Sequence, residues 1–414
     1  MAGGHAHAHS SADELSRVPV DPRARVVLVA VLGAVLVATV LGVVQLWPEH
    51  KPRAEGGSNA FAAPGVTFHD ARVLRVQQPC ASVRESEQQT SCGQVVVRVL
   101  SGTQRGARTQ VPVAPEVSTS GLRAGDTLEL LQTPASNGRA STFSFFSVER
   151  DLPIGLLAAL FVLVVALVAR LRGLLALVGL AFGAAVVVLF MLPSLLDGHS
   201  GLGVALSGSA AIMFVVLYLA HGLSMRTSAA LLGTLVGVAI TAVVGLVAIG
   251  QTRLSGVSDE TGSLLSSYVR DLDFQGLLTC AVIVAGLGVL NDVTITQASA
   301  VWELRAVAPN LSRARLFARA MRIGRDHIAS TIYTIVFAYA GGALSVLLLL
   351  YFYERPPLSL LSTEQIAEEV VRTLASAIGL VLAVPVTTAI AVATVGDRSS
   401  SRPLPRDTDP TDPR

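Results

Sequence analysis

The chain has 414 residues, 51% of them hydrophobic and 14% charged, with a mean hydropathy of +0.59. That is too apolar for a soluble two-domain enzyme and points to a polytopic membrane protein. The formal charge of +2 says little as a sum; its distribution along the chain carries the information. Lys51 is the lone lysine, and arginine is otherwise the strong base throughout, as the codon usage of a GC-rich bacterium would produce. Three cysteines are too few for a disulfide scaffold and lack metal-ligand spacing, so neither a metal nor a cofactor is expected.

In chain order, residues 1–25 read as a disordered tail. His5, His7 and His9 lie in it without further ligands nearby. The apolar segment 26–46 runs long and ends without a small-residue cleavage site, so it is expected as an uncleaved anchor rather than a signal peptide. A Pro/Gly-rich linker, 47–64, follows. Residues 65–151 then alternate in "VTFHDARVLRV", "QVVVRVL", "TQVPV", "GDTLELL" and "FSFFSV". That period of two predicts four or five short strands, closed into a small barrel or sandwich. Cys80 and Cys92 fall in this outward-facing module, where oxidation is permitted; a Cys80–Cys92 disulfide and two free thiols both remain open.

Seven further apolar segments, at 152–169, 173–192, 201–220, 228–250, 274–292, 328–352 and 373–395, match the roughly 20 residues that a bilayer core requires. With the first anchor they predict eight spans, seven of them in a membrane domain at 152–396, before a disordered tail at 397–414. Arginines cluster at Arg17, Arg23 and Arg25, at Arg170 and Arg172, at Arg226, at Arg305 to Arg325 and at Arg398 to Arg414. Positive-inside asymmetry then predicts both termini on the cytoplasmic side of a bacterial inner membrane. Two outer amphipathic helices are expected, one capped by Ser258, the other by a capping box through Ser362 and Gln365. Gly179/Gly183 and Gly233/Gly237 have the four-residue spacing that lets helices approach closely. Pro385 predicts a kink, with Thr387 and Thr388 near the freed backbone groups.

The stretch "GLGVLNDVTITQASAVWEL" places Asn291 and Asp292 at the end of an apolar run. Asp292, Thr296, Ser299 and Glu303 then share one helical face. The next helix repeats the pattern with Asp326, Ser330 and Thr334, beside His327 and Thr331. One reading is an ion or proton pathway, since ionisable groups in membranes mark such routes and histidine titrates near neutrality. The other is structural: Asn291 or Asp292 caps a surface helix, and Arg325 pairs with Glu303. No nucleophile elbow, phosphate loop or zinc spacing is present, so an enzyme is not expected. The arginine-rich loop around Phe317 is explained by topology, without nucleic acid.

The pieces "YLAHGLSMRTSAALLGTLVG", "SDETG", "DLDFQGLL", "AGLGVLNDVTITQASAVWEL", "IGRDHIASTIYTIVFAYAGGALSVLLL" and "IAEEVVRTLASAIGLVLAVPVTTAIA" resemble the YibE/F-like family of bacterial multi-pass membrane proteins. With the β-module, the resemblance spans about residues 65–396. It implies the topology above and assigns no catalytic residue. The layout around Asp292 is also similar to SecD/SecF-type export subunits, which couple to protons and have six spans. Two functions follow as expectations. One is a transporter or proton-coupled export factor. The other is a non-transporting scaffold in the lipid bilayer whose outer β-module recruits an envelope protein partner.

Overall fold

The computed structural model describes residues 18–49, 66–77, 93–134, 141–269, 272–352 and 362–396, with Pro356 and Ser359. Cys80, Cys92 and the N-terminal histidines lie outside the described residues; Cys280 is a buried free thiol. The chain forms two compact units, Pro52–Val165 and Met1–Lys51 with Ala166–Arg414.

The smaller unit is a single five-stranded antiparallel sheet. It is built from β1 (Thr67–Gln77), β2 (Gln94–Val99), β3 (Arg108–Pro112), β4 (Thr127–Thr133) and β5 (Thr142–Val148), with a short helix α2 (Pro115–Thr119) before β4. The strand order is β3-β2-β1-β4-β5, and the sheet curls so that the outer strands approach one another. All five alternating segments form strands. Their inward residues Val73, Val95, Val97, Val111, Leu128 and Leu130 are almost fully buried in one core, which is why the period of two is readable. Gly125 enters β4 at φ 103, and the Asp126 carboxylate accepts the Arg123 N–H at 2.7 Å, so "RAGD" is the turn.

In the larger unit, α1 (Pro22–Gln45) precedes the sheet. After it come α3 (Asp151–Val186, beginning in the smaller unit), a π turn (Val187–Met191) and α4 (Leu192–Leu196). The chain continues through α5 (Gly201–His221), α6 (Met225–Thr252), α7 (Glu260–Tyr268) and α8 (Phe274–Val307). It ends with α9 (Arg313–Gly342), α10 (Leu344–Phe352) and α11 (Glu364–Thr394).

Six helices among the described residues are long and apolar enough to cross a membrane, or seven if the bent pair α9–α10 is one span. The eight expected segments differ from this in two places. The second and third fall in one 46-residue stretch, Asp151–Leu196, about 69 Å of helical rise, which is interrupted at Arg170 (φ 51, ψ −140). The seventh is no straight span. Its helix starts at Arg313, not 328, and bends by 64° into α10 around Ala343. Hydropathy marks only the lipid-facing part of a helix; Ala, Arg and Leu in residues 313–325 continue it with equal propensity.

The helices of this unit share two recognisable ends. At the first, Val20 bridges Val395 through Asp21 N–H to the Thr394 carbonyl (3.0 Å) and Gly396 N–H to the Pro19 carbonyl (2.7 Å). Arg313 joins them, 2.8 Å from Asp21, and its hydrogen bond holds the Asp21 carboxyl below its ordinary range. At the opposite, distal end, the Ser194 hydroxyl donates to the Leu46 carbonyl (2.7 Å), and Gly201 meets Gly276 backbone to backbone. Val20 and Val395 form a non-hydrogen-bonded antiparallel pair, whose Cα atoms lie about 4.5 Å apart, within disulfide range. Cysteines at both positions, with the three native cysteines removed, are therefore expected to cross-link and resist maleimide labelling until reduced. Independent labelling of both would contradict the pairing.

Between the two ends, α6 and α11 run antiparallel along a ladder of small residues. A Cβ on Gly233 would strike Thr387, one on Gly237 would meet Ala383 at 3.0 Å, and one on Gly379 would strike Thr241. The Gly233/Gly237 spacing thus serves close packing, as does Gly179/Gly183 against Val216 and Ile212.

Candidate functional site

The polar stripes expected around Asp292 lie on the outside of the helical unit. Asp292, Thr296, Glu303, Asp326, Ser330 and Thr334 are exposed, Asn291, Ser299 and His327 are partly buried, and Thr331 is buried. The two stripes meet at one point: His327 Nε2 is 3.7 Å from the Asp292 carboxylate, itself 67% exposed, and 3.5 Å from the Thr296 hydroxyl. Thr296, Thr331 and Thr334 bond carbonyls one turn back on their own helices, and Arg325 Nε donates to the Met321 carbonyl. Asp292 lies 16 residues, about 24 Å, along α8 from the Gly201–Gly276 contact. The 20 residues of α5 from Gly201 to His221 rise about 30 Å. Asp292 is therefore about one turn short of the first end of α5. Asn291 and Asp292 cap nothing, because α8 runs unbroken from Phe274 to Val307.

The interior holds a different polar set. Gln297, 3% exposed, donates from Nε2 to the Ala320 carbonyl on α9 (3.0 Å) and to the Thr388 hydroxyl on α11 (2.7 Å). The Thr388 hydroxyl itself donates to the Val384 carbonyl, while Thr234 and Thr294 bond at 2.6 Å between α6 and α8. Arg305, expected among loop arginines, is buried and clamps the Pro309 and Leu311 carbonyls, so it closes the turn before α9.

At the distal end a cavity of about 380 Å³ opens between the turn before α7, the α9–α10 bend and the first turns of α11. Its walls carry Ser258, Asp259, Gly342, Glu368, Glu369 and Arg372. Asp259, not Ser258, caps α7, its carboxylate accepting the Gly262 N–H at 2.7 Å. Ser258 is thereby released to donate to Glu368 Oε2 at 2.8 Å. The α11 cap position is Thr363 rather than Ser362, and Glu364 reaches back to the Ser255 hydroxyl (2.8 Å).

Glu368 is 6% exposed, and its Oε1 is buried without a hydrogen-bond partner among the described residues. It precedes the apolar stretch 373–395. Glu369 and Arg372 pair one turn apart at 2.8 Å. A larger space of about 710 Å³ between α1, α5 and α6 is lined by aliphatic side chains such as Val31, Leu206 and Val236 and offers little polar chemistry.

Sequence comparison decides the family: the model of the YibE/F-like protein family matches residues 157–397, more than half of the chain. The chain belongs to that family. The match takes in both the Asp292–His327 contact and the distal cavity, and it begins after the last strand of the β-sheet, so the resemblance expected from residue 65 onward is established only for the helical part. No curated protein matches the chain, and no solved structure does. Among the described residues, no group of three or more His, Cys, Asp or Glu is arranged to hold a metal ion.

Proposed function

We propose that this YibE/F-like protein is a membrane transporter or export factor working through the distal cavity. The observation that carries this reading is the broken apolar helix α9–α10, whose bend at Gly342 and Ala343 forms one wall of a cavity holding a buried carboxylate. Interrupted membrane helices free backbone groups, and transporters place their sites at such breaks. In this reading the chain crosses the bilayer eight times. Residues 151–169, residues 171–196 and the α9–α10 pair each count as one span. Both termini then lie in the cytoplasm, consistent with the Val20–Val395 bridge at one end and with the arginines gathered there.

The pathway lies in the cavity rather than along the stripes at Asp292 and Asp326, because the stripes face outward. A second reading draws on that same exposure. The Asp292–His327 pair, with Glu303 and Asp326, forms a surface on which a partner would dock, and the β-unit would recruit an envelope protein.

Liposomes containing the purified chain and a trapped pH-sensitive dye separate the two. The transport reading expects dissipation of an imposed proton gradient, cut at least tenfold by Glu368→Gln. Loss of flux in Asp292→Asn, with Glu368→Gln unaffected, would return the pathway to the outward stripes. No flux in any form, with one dominant protein cross-linked to the β-unit, would support the scaffold.

A further inference from the structure

The carboxylates around the distal cavity differ in how far their hydrogen-bonding capacity is used. Asp259 takes the Gly262 N–H, Glu364 takes Ser255, and Glu369 is paired with Arg372. Glu368 alone among these four has a buried oxygen without a donor: Oε2 is held by Ser258, and Oε1 has no partner among the described residues. A carboxylate has about four acceptor sites and no proton to give when ionised, so the complement it calls for is an N–H or O–H donor, best a charged one.

The lining also sets the sign and size of what fits. Asp259, Glu368 and Glu369 against Arg372 leave a formal excess of two negative charges, three less one. Glu369 takes up Arg372 through its Nη1 at 2.8 Å, while the buried Arg372 Nε has no partner among the described residues. Ala343, Val346 and Ile366 give the wall an apolar part that suits methylene groups, beside the polar Gln365. A volume of about 380 Å³ exceeds what a bare ion fills and lies within the range of small-molecule sites. Divalent metals require several oxygen ligands converging on one point, and the described residues contain no such group.

We propose that the distal cavity binds a small primary ammonium compound, its N–H donated to Glu368 Oε1 and its carbon chain laid against Ala343, Val346 and Ile366. The inference rests on the reading of this cavity as the working site and adds the chemical class of its ligand. A primary ammonium provides three donors on a compact head, one for Glu368 and the others for water or Asp259. A quaternary ammonium of similar charge has no N–H to give. The distinction between them is therefore the signature of the site.

The test uses the full chain in lipid nanodiscs. Its thermal unfolding is titrated with butylammonium chloride, tetramethylammonium chloride and calcium chloride at matched ionic strength. The expected result is a saturable rise in Tm with butylammonium alone, its apparent affinity at least tenfold lower in Glu368→Gln. Equal responses to butylammonium and tetramethylammonium would overturn the proposal, as would unchanged affinity in Glu368→Gln or saturation by calcium in place of butylammonium. Should Glu368→Gln not fold, the comparison of the three salts on the unsubstituted chain decides alone. Binding without proton flux would sink the transport reading and keep the ligand site; flux without butylammonium binding would do the reverse.

Discussion

Gly201→Ala is expected to lower the melting temperature of the helical unit by several degrees, whereas Gly288→Ala, on the surface of α8, leaves it unchanged or slightly raised. A Cβ on Gly201 would strike the carbonyl, carbon and Cα of Gly276, all of them backbone. No rotamer change relieves such a clash; α5 and α8 must separate. Overpacking of this kind costs about 1–3 kcal/mol, and each kcal/mol is worth about 2–4 °C in a unit of this size.

The contact also joins the N-termini of two helices, whose positive dipole ends repel when brought together. The Asp273 carboxylate sits at that junction and accepts the Gly276 N–H at 2.9 Å, which offsets the repulsion. Separation of the helices would weaken that compensation as well. A Cβ on Gly288 would have nothing within 4 Å, so alanine there gains helix propensity, about 0.5–1 kcal/mol. Equal melting temperatures for the two variants would show that α5 and α8 do not approach this closely.

Much of this architecture is legible in the residues. The apolar runs of α1, α5 and α6 declare themselves because lipid-facing and core-facing positions are both apolar, and the β-unit does because its two faces differ at every second residue. Hydropathy is blind where a helix outlasts the bilayer. Arg313 to Arg325 are helical without being apolar, and on hydropathy alone they read as a loop. The α9–α10 bend falls at "YAGGAL", two adjacent glycines whose weak helix preference is visible in the sequence, although its 64° angle is not.

The cavity is harder to find for a physical reason. "STEQIAEEVVRTL" has the charge density of a surface helix, and nothing local distinguishes Glu368 from Glu369. Their difference comes from Ser258, 110 positions away, which reaches only Glu368. Asp292 and His327 mark a second limit, since the spacing that aligns polar residues on one face does not say whether that face points inward.

Gln297→Leu is expected to destabilise the bundle by about 1–3 kcal/mol, read as a lower Tm or denaturation midpoint in detergent or lipid. Leucine fills nearly the same volume, so the loss is in hydrogen bonding: the Ala320 carbonyl and the Thr388 hydroxyl lose the donor that ties α9 and α11 to α8. Helix-to-helix hydrogen bonds in membranes average about 0.6 kcal/mol and reach about 1.7, and Gln297 makes two. Thr388→Val removes one of them while leaving the Ala320 bond, and is expected to cost less.

The two substitutions share an interaction, so their effects should not add. The double variant ought to be less destabilised than the sum of the singles, with a coupling of at least about 0.5 kcal/mol. Gln297→Glu is the most severe of the set. It exchanges a donor for a carboxylate facing the Ala320 carbonyl, and a buried charge without a partner costs more than a lost neutral bond. Gly324 explains why a longer side chain cannot take over: a Cβ there would already lie 2.7 Å from Val384 and 2.9 Å from the Gln297 amide oxygen. Strict additivity of Gln297→Leu and Thr388→Val would mean that the amide and the hydroxyl do not meet. The lock between α8, α9 and α11 would then have to come from apolar packing alone.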